Sequence, residues 1–275
     1  WPSPHEDRHW SGVLFPPICH GMNERTDIDA CAALVERGDP DRFLATMAAP
    51  AAARPALLTL YAFNLEVARV GWVTKEPPIA QMRLQFWRDV VDEVGDAAPR
   101  AHEVAAPLAA LIKTRALPKA LFHSMIEARE ADIDRAPFAD ESALWAYLEA
   151  TGGALMMLAV RALGPAEDGS AQDYGTAQAL ANYLLAIPAL EGAGRMPLPD
   201  GRPRAVAALA QAGLDRMVRA GTVSRASRPA LLAAWQTRAI LMRAARDPGA
   251  VGAGQLGQSE FRRRGSLLWR TFVGV

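Results

Sequence analysis

From Asp27 onward, apolar side chains recur three and four positions apart, and no stretch alternates apolar and polar residues for long enough to make a sheet strand. That periodicity leaves one class of solution: helices that each bury a single face against other helices. Ile79, Met82, Phe86, Val90 and Val94 show it most plainly, because all of them fall on one side of a helix. Proline and glycine cut the pattern into segments. The segments predict helices over 27–37, 39–47, 51–70, 79–94, 102–115, 118–133, 142–163, 170–190, 205–220, 229–246 and 258–272. Asp39-Pro40-Asp41 offers a capping carboxylate and a first-turn proline to the second of these. Gly152-Gly153 lies inside a helical stretch, where each glycine costs about 1 kcal/mol against alanine. Such a pair points to close helix packing or to room for a ligand. Pro188 is expected to distort its helix end.

The 275 residues are 51% hydrophobic, enough for one large globular domain with a sizeable core. Abundant alanine, with leucine, arginine and glutamate, favours helix over strand. Thirty basic and 30 acidic side chains give a formal net charge of zero, so the basic excess of a nucleic-acid binder is missing and no nucleic-acid partner is expected. Two cysteines, Cys19 and Cys31, are too few for a disulfide framework and point to a reducing compartment. No uninterrupted apolar run reaches the ~18 residues of a membrane span; Ala154 to Val160 stops at Arg161 and reads as a buried helix. Residues 1–21 are rich in proline and aromatics, lack the apolar core of a signal peptide, and read as a leader or extension; residues 22–275 read as the helical domain.

Common chemical motifs are missing. His102 and His123 stand alone, and neither has a second histidine or cysteine at metal-ligand spacing. Gly252-Ala253-Gly254 carries none of the remaining positions of a nucleotide fingerprint, and no Gly-x-Ser-x-Gly elbow occurs.

A set of weak motifs, in order and at fixed spacing, carries more. Tyr61-Ala62-Phe63, Trp87-Arg88, Tyr147 with Thr151-Gly152-Gly153, Asn182, and Gly194-Arg195 with Leu198-Pro199 together resemble the squalene/phytoene synthase family over about Asp39 to Pro199. The resemblance implies an all-α, single-domain, isoprenoid-synthase-like helical bundle around a central cavity. It also implies where carboxylates are missing. In that family two facing helices each carry an aspartate pair, and the pairs hold magnesium against a prenyl diphosphate. Here Asn64 and Leu65 follow Phe63 where the family has Cys-Arg. Ala68, Arg69 and Trp72 occupy the first acidic motif, and Leu185, Ala186 and Leu190 replace the arginine and both aspartates of the second.

Magnesium demands hard oxygen ligands in near-octahedral geometry, and it acts on a diphosphate as Lewis acid and template. Alanine and leucine have no such oxygen. The expectation is therefore no metal ligands, no catalytic residues and no cofactor. Arg69 and Arg195 remain as candidate direct phosphate contacts, with a solvated or paired surface arginine the preferred reading of Arg69. Of the other acids, Glu66 points about 200° away from Ala68 on a helix, Glu191 lies at the helix end that Pro188 is expected to distort, and the set Asp89, Asp92 and Glu93 and the row Glu127, Glu130 and Asp134 read as solvated faces. Tyr61, Phe63, Asn64, Tyr147, Thr151, Gly153 and Asn182 are the expected lining of the cavity, acting through shape and hydrogen bonding.

One branch of the family that this chain resembles comprises assembly factors for respiratory complex I. That resemblance implies a catalytically silent protein that binds a lipid-like (isoprenoid) ligand or a membrane-complex protein partner, cytoplasmic and peripheral on the inner membrane face. Two alternatives stand beside it: an active head-to-head prenyl transferase whose rearranged ligands hold magnesium, and a helical interaction module with a filled core. The C-terminal run Phe261 to Arg270 also has two readings. It suits an amphipathic helix on anionic lipid, or a terminal helix docked by Leu267, Leu268 and Phe272 with its arginines outward.

Overall fold

The computed structural model describes residues 20–74, 76–95, 100–134, 136–165 and 168–273, and among them no strand occurs. The expected leader, residues 1–21, lies outside the described residues apart from its last two, which already belong to the first helix.

In chain order, α1 (His20–Gly38) and α2 (Pro40–Ala48) lead through a short 3-10 turn (Ala51–Ala53) into α3 (Arg54–Ala68) and the single turn α4 (Val70–Val73). Next come α5 (Pro77–Asp92), α6 (Ala105–Arg115), α7 (Lys119–Ala128) and α8 (Glu130–Asp134). α9 (Glu141–Leu148) passes through a π-turn (Glu149–Gly153) into α10 (Ala154–Leu163), and α11 (Asp168–Gly192) follows. The chain finishes with α12 (Pro203–Arg219), α13 (Arg228–Leu231), a 3-10 turn (Leu232–Ala234), α14 (Thr237–Arg246), α15 (Gly249–Gly252) and α16 (Glu260–Val273).

Local chemistry sets several of these boundaries. Asp39 caps α2, its carboxylate accepting from the Arg42 N–H at 2.9 Å with Pro40 in the first turn, as the sequence indicates. Asp140 caps α9 through the Ala143 N–H at 2.8 Å. His102, which looked isolated, accepts from the Val104 N–H through Nδ1 at 3.1 Å and so holds the approach to α6. The structure corrects the reading at Pro188: α11 runs through it to Gly192. A proline removes one N–H from the helix ladder, and packing against α12, α14 and α15 outweighs that loss.

Two buried clusters form the core. One joins α1, α3, α5, α6, α7 and α10, with Phe63 at its centre, edge-on to Trp87 at 5.5 Å and to Phe122 at 5.4 Å. The other joins α9, α11, α12 and α14 through Leu144, Leu180, Leu184, Leu209 and Leu241. The α9–α10 helix, Glu141–Leu163, is long and apolar enough to cross a membrane, with mean hydropathy 1.4 over its most apolar window; 67% of that window is buried within the fold. Gly152 and Gly175 let this helix cross α11 almost backbone to backbone. A Cβ on Gly152 would meet the Ala179 Cβ at 2.4 Å, and one on Gly175 would meet the Gly152 carbonyl oxygen at 2.4 Å. Gly152 thus serves close packing, one of the two uses anticipated for the Gly152-Gly153 pair.

Cys31 is fully buried, its thiol 3.7 Å from the Glu103 carbonyl oxygen. Burial, then the charges of Asp27 and Glu103, pushes the thiol up to about 12 from an ordinary value of 9.0. The folded protein therefore keeps this proton where the unfolded chain gives it up. The stabilisation is complete below pH 9 and drains away as pH rises towards 12. At pH 8 the Cys31 peptide should resist iodoacetamide in the native protein and react after denaturation, as read by peptide mass spectrometry. Equal labelling in both states contradicts this placement.

Candidate functional site

Between α3 and α11 lies a cavity of about 470 Å³. Asn64, Leu65 and Ala68 face it from α3, and Gln178, Asn182, Tyr183 and Ala186 from α11. Asp39, Asp41 and Arg42 close one side from the start of α2. Trp235, Gln236 and Thr237 complete that side, and Arg129, Tyr147, Thr151 and Gly152 form the opposite wall.

Four of the expected lining residues, Asn64, Tyr147, Thr151 and Asn182, are brought together here. The other three lie elsewhere. Tyr61 is on the Asn64 side of α3, but the Arg42 guanidinium sits over its ring, 5.4 Å from the centroid, and roofs it off. Burial pushes the Tyr61 phenol up to about 12, with Arg42 opposing. Phe63 is turned about 100° from Asn64 by the helix repeat and enters the aromatic core. Gly153 faces away from the cavity: a Cβ there would meet Thr176 Oγ1 of α11 at 2.8 Å, and its neighbour Gly152 lines the wall instead.

The two expected phosphate contacts are engaged by the protein. Arg69 pairs with Glu66 of its own helix and does not line the cavity. Arg195 stacks over Trp72, 4.8 Å from the ring centroid, and donates to the Asp132 main-chain oxygen at 3.0 Å. An arginine on an indole thus joins the two segments that carry the family's acidic motifs. Several of the acids read as solvated also have side-chain partners. Asp89 and Glu93 bind Arg100 at 3.2 and 2.5 Å, Asp92 meets His123 at 2.9 Å, and Glu130 pairs with Arg88.

The wall built around Asp132 is visible only in the folded chain. Arg129 donates to the Asp132 carboxylate at 3.1 Å and to the Tyr147 phenol oxygen at 2.5 Å, while the phenol donates to Asp132 at 3.1 Å. Burial raises the Tyr147 phenol well above its ordinary range; Arg129 opposes and Asp132 adds to the shift, so the group stays a proton donor. Burial works against the Arg129 charge, but Tyr147 and Asp132 outweigh it and hold the guanidinium protonated. Tyr183 completes the wall, 6.3 Å from the Tyr147 ring, its hydroxyl donating to the Pro197 oxygen at 2.7 Å. In sequence, Arg129 and Asp132 are interleaved with the row Glu127, Glu130 and Asp134 that reads as a solvated face. Arg42 was legible only as the neighbour of a capping motif, Tyr183 only as the neighbour of Asn182.

The residues present do not fit the family's magnesium cage. Ala68 and Ala186 face the cavity from the two helices that would supply it. Asp39 is committed to Arg42 and to its capping role, and Asp41 accepts from Gln236 at 2.8 Å. Among the described residues no group of three His, Cys, Asp or Glu side chains is placed to hold a metal ion. Arg42 and Arg129 each keep a buried Nε–H that meets no acceptor, and among the described residues the one cavity-lining carboxylate oxygen without a hydrogen-bond donor, Asp41 Oδ1, faces the Arg263 guanidinium at 3.4 Å. A roomy, mostly apolar chamber with a few amide, phenol and guanidinium donors can hold an apolar molecule with a polar end.

An all-helical bundle with a chamber between two long helices is the architecture of the isoprenoid synthases. The similarity is measurable: the fold superposes on a dehydrosqualene synthase bound to ligand with a TM-score of 0.75, at 16% identity over 92% of this chain and 98% of that one. It also superposes on a squalene synthase from Alicyclobacillus acidocaldarius with a TM-score of 0.68, at 20% identity over 82% of this chain and 95% of that one. The squalene/phytoene synthase profile matches residues 35–202, and the chain belongs to that family. Curated relatives are named differently. NADH dehydrogenase (ubiquinone) complex I, assembly factor 6, of Bos taurus is 30% identical over 62% of this chain and 52% of its own length. The Drosophila melanogaster homologue of that factor is 34% identical over the same shares. The chain spans about half the length of these curated relatives.

Proposed function

We propose that this chain is a catalytically silent member of the family that holds a lipid-like molecule in its cavity and aids the assembly of a membrane-bound NADH dehydrogenase, working peripherally at the membrane. One observation carries the silent part: the cavity is kept, and alanines face it from both helices that would supply the cage. Ionising an allylic diphosphate requires charge neutralisation at the leaving group. Here every carboxylate lining the cavity is tied to a neighbouring side chain. The relatives named as complex I assembly factors support the assembly part. The paired Arg129–Asp132–Tyr147 wall and the free Nε–H groups favour a ligand with a neutral or singly acidic polar end and an apolar body.

Purified protein incubated with a prenyl diphosphate and magnesium is expected to release no diphosphate above a protein-free control. Magnesium-dependent release would return the chain to the working synthases. Removing the gene from its host should lower the amount of assembled NADH dehydrogenase on native gels, and the wild-type chain should restore it. Unchanged complex levels would remove the assembly role.

A further inference from the structure

The side of α16 turned away from the bundle is apolar along its middle and basic along both edges. The helix leans on α2 and on the 3-10 turn Leu232–Ala234 through Leu267, and Arg263 reaches back to Asp41 at 3.4 Å. At about 100° per residue, Phe261, Gly265, Leu268 and Trp269 occupy the arc opposite Leu267, bounded by Arg264 on one edge and Arg262 on the other. Phe261 is 89% exposed, Leu268 61% and Trp269 70%. This corrects the docked reading, in which Leu268 packs inward and the arginines alone face water. Leu267 makes the contact while the next residue, one helical step round, points out; the Phe272 side chain lies outside the described residues.

The surroundings add charge of one sign. Arg225, Arg228 and Arg270 border a groove of about 390 Å³ beside the C-terminal half of α16. Among the described residues no carboxylate pairs with Arg225, Arg228, Arg262 or Arg270, whereas Arg264 meets Glu260 at 3.4 Å. In a chain whose formal net charge is zero, this end is locally cationic. An indole, a phenyl ring and a leucine held outward between arginines match the boundary between lipid headgroups and acyl chains. The convex ridge of a single helix presents itself to a fluid plane.

We propose that the outward face of α16 is a docking surface for a bilayer carrying anionic headgroups. Phe261, Leu268 and Trp269 enter the interface, while Arg262, Arg264, Arg225 and Arg228 meet phosphates. The inference rests on the peripheral-membrane part of the proposed function and names the surface that performs it.

The test is co-sedimentation of the full chain with vesicles of phosphatidylcholine alone and of phosphatidylcholine with phosphatidylglycerol in equal parts. Binding is expected to the mixed vesicles only and to fall as salt rises. The double variants Leu268→Glu with Trp269→Glu, and Arg262→Glu with Arg264→Glu, should each weaken it by about tenfold or more. Their melting temperatures should stay unchanged, because these side chains are exposed. No binding of the wild-type chain at low salt overturns the proposal, as do equal binding to neutral vesicles and full binding by the two variants. Loss of a protein contact in the variants with vesicle binding intact also overturns it, in favour of a protein partner. Diphosphate release reads the cavity alone, so failure of this surface leaves the silent-scaffold reading standing and separately tested.

Discussion

Gly175→Val is expected to destabilise the protein by about 3 kcal/mol and to lower its melting temperature by roughly 6–12 °C. At Gly175 the first added carbon would sit 2.4 Å from the Gly152 carbonyl oxygen and 2.5 Å from the Met156 Cβ. Both obstacles belong to a helix fixed on its other sides by α3 and α7, so neither can swing aside as a flexible side chain would. Relief requires α10 and α11 to separate, which opens the contacts of two buried clusters together. Gly192→Ala provides the control: nothing lies within 4 Å of a Cβ there, and the exchange should be neutral or mildly stabilising. Thermal and urea unfolding of the two variants measure the difference. A Gly175→Val protein that melts with the wild type would mean that the two helices do not cross at contact distance.

Asp132→Ala carries the second large effect. It removes the acceptor shared by Arg129 and Tyr147 and leaves Arg129, with only 16% of its side chain exposed, as a largely buried charge without its carboxylate. Breaking such a pair from one side costs about 3–5 kcal/mol, because the surviving charge keeps its desolvation penalty and loses its partner. The double variant Arg129→Met with Asp132→Leu should recover part of the loss, because it removes the stranded Arg129 charge while Arg195, 3.8 Å from the Asp132 carboxylate, and the Tyr147 hydroxyl still lose their partner. Chemical unfolding of the wild type, Arg129→Met, Asp132→Leu and the double variant closes a cycle whose interaction energy reads the pairing directly. Additive losses would show that the wall is not electrostatically coupled.

The fold was largely readable because its signal is repeated. A three-to-four-residue period recurs along the chain, and proline and glycine mark most of the breaks. Breaks without those residues were not readable. α3 yields to α4 at Arg69 and α7 to α8 at Arg129, each through an ordinary residue whose N–H still bonds backward to the preceding helix. The stretch 229–246 divides at Trp235 and Gln236 for the same reason. In the cavity, motif positions located Asn64, Tyr147, Thr151 and Asn182, because sequence order within one helix fixes a face. The motif could not distinguish Asn64 from Phe63, which is one residue and about 100° away. The partners of Asp132 could not be anticipated either: Arg195 lies 63 residues away, and only the folded chain brings the two together.

The wide turn at Glu149–Gly153 has a consequence for descent. It carries an extra residue within an otherwise regular helix, so the two flanking portions run out of phase. Excising one position there would rotate either Leu144 and Tyr147 or Leu155 and Leu158 away from their neighbours. Side-chain replacement, by contrast, leaves the phase intact. A lineage can therefore shed its carboxylates one codon at a time, while the length of this segment stays locked by the geometry on both sides of it.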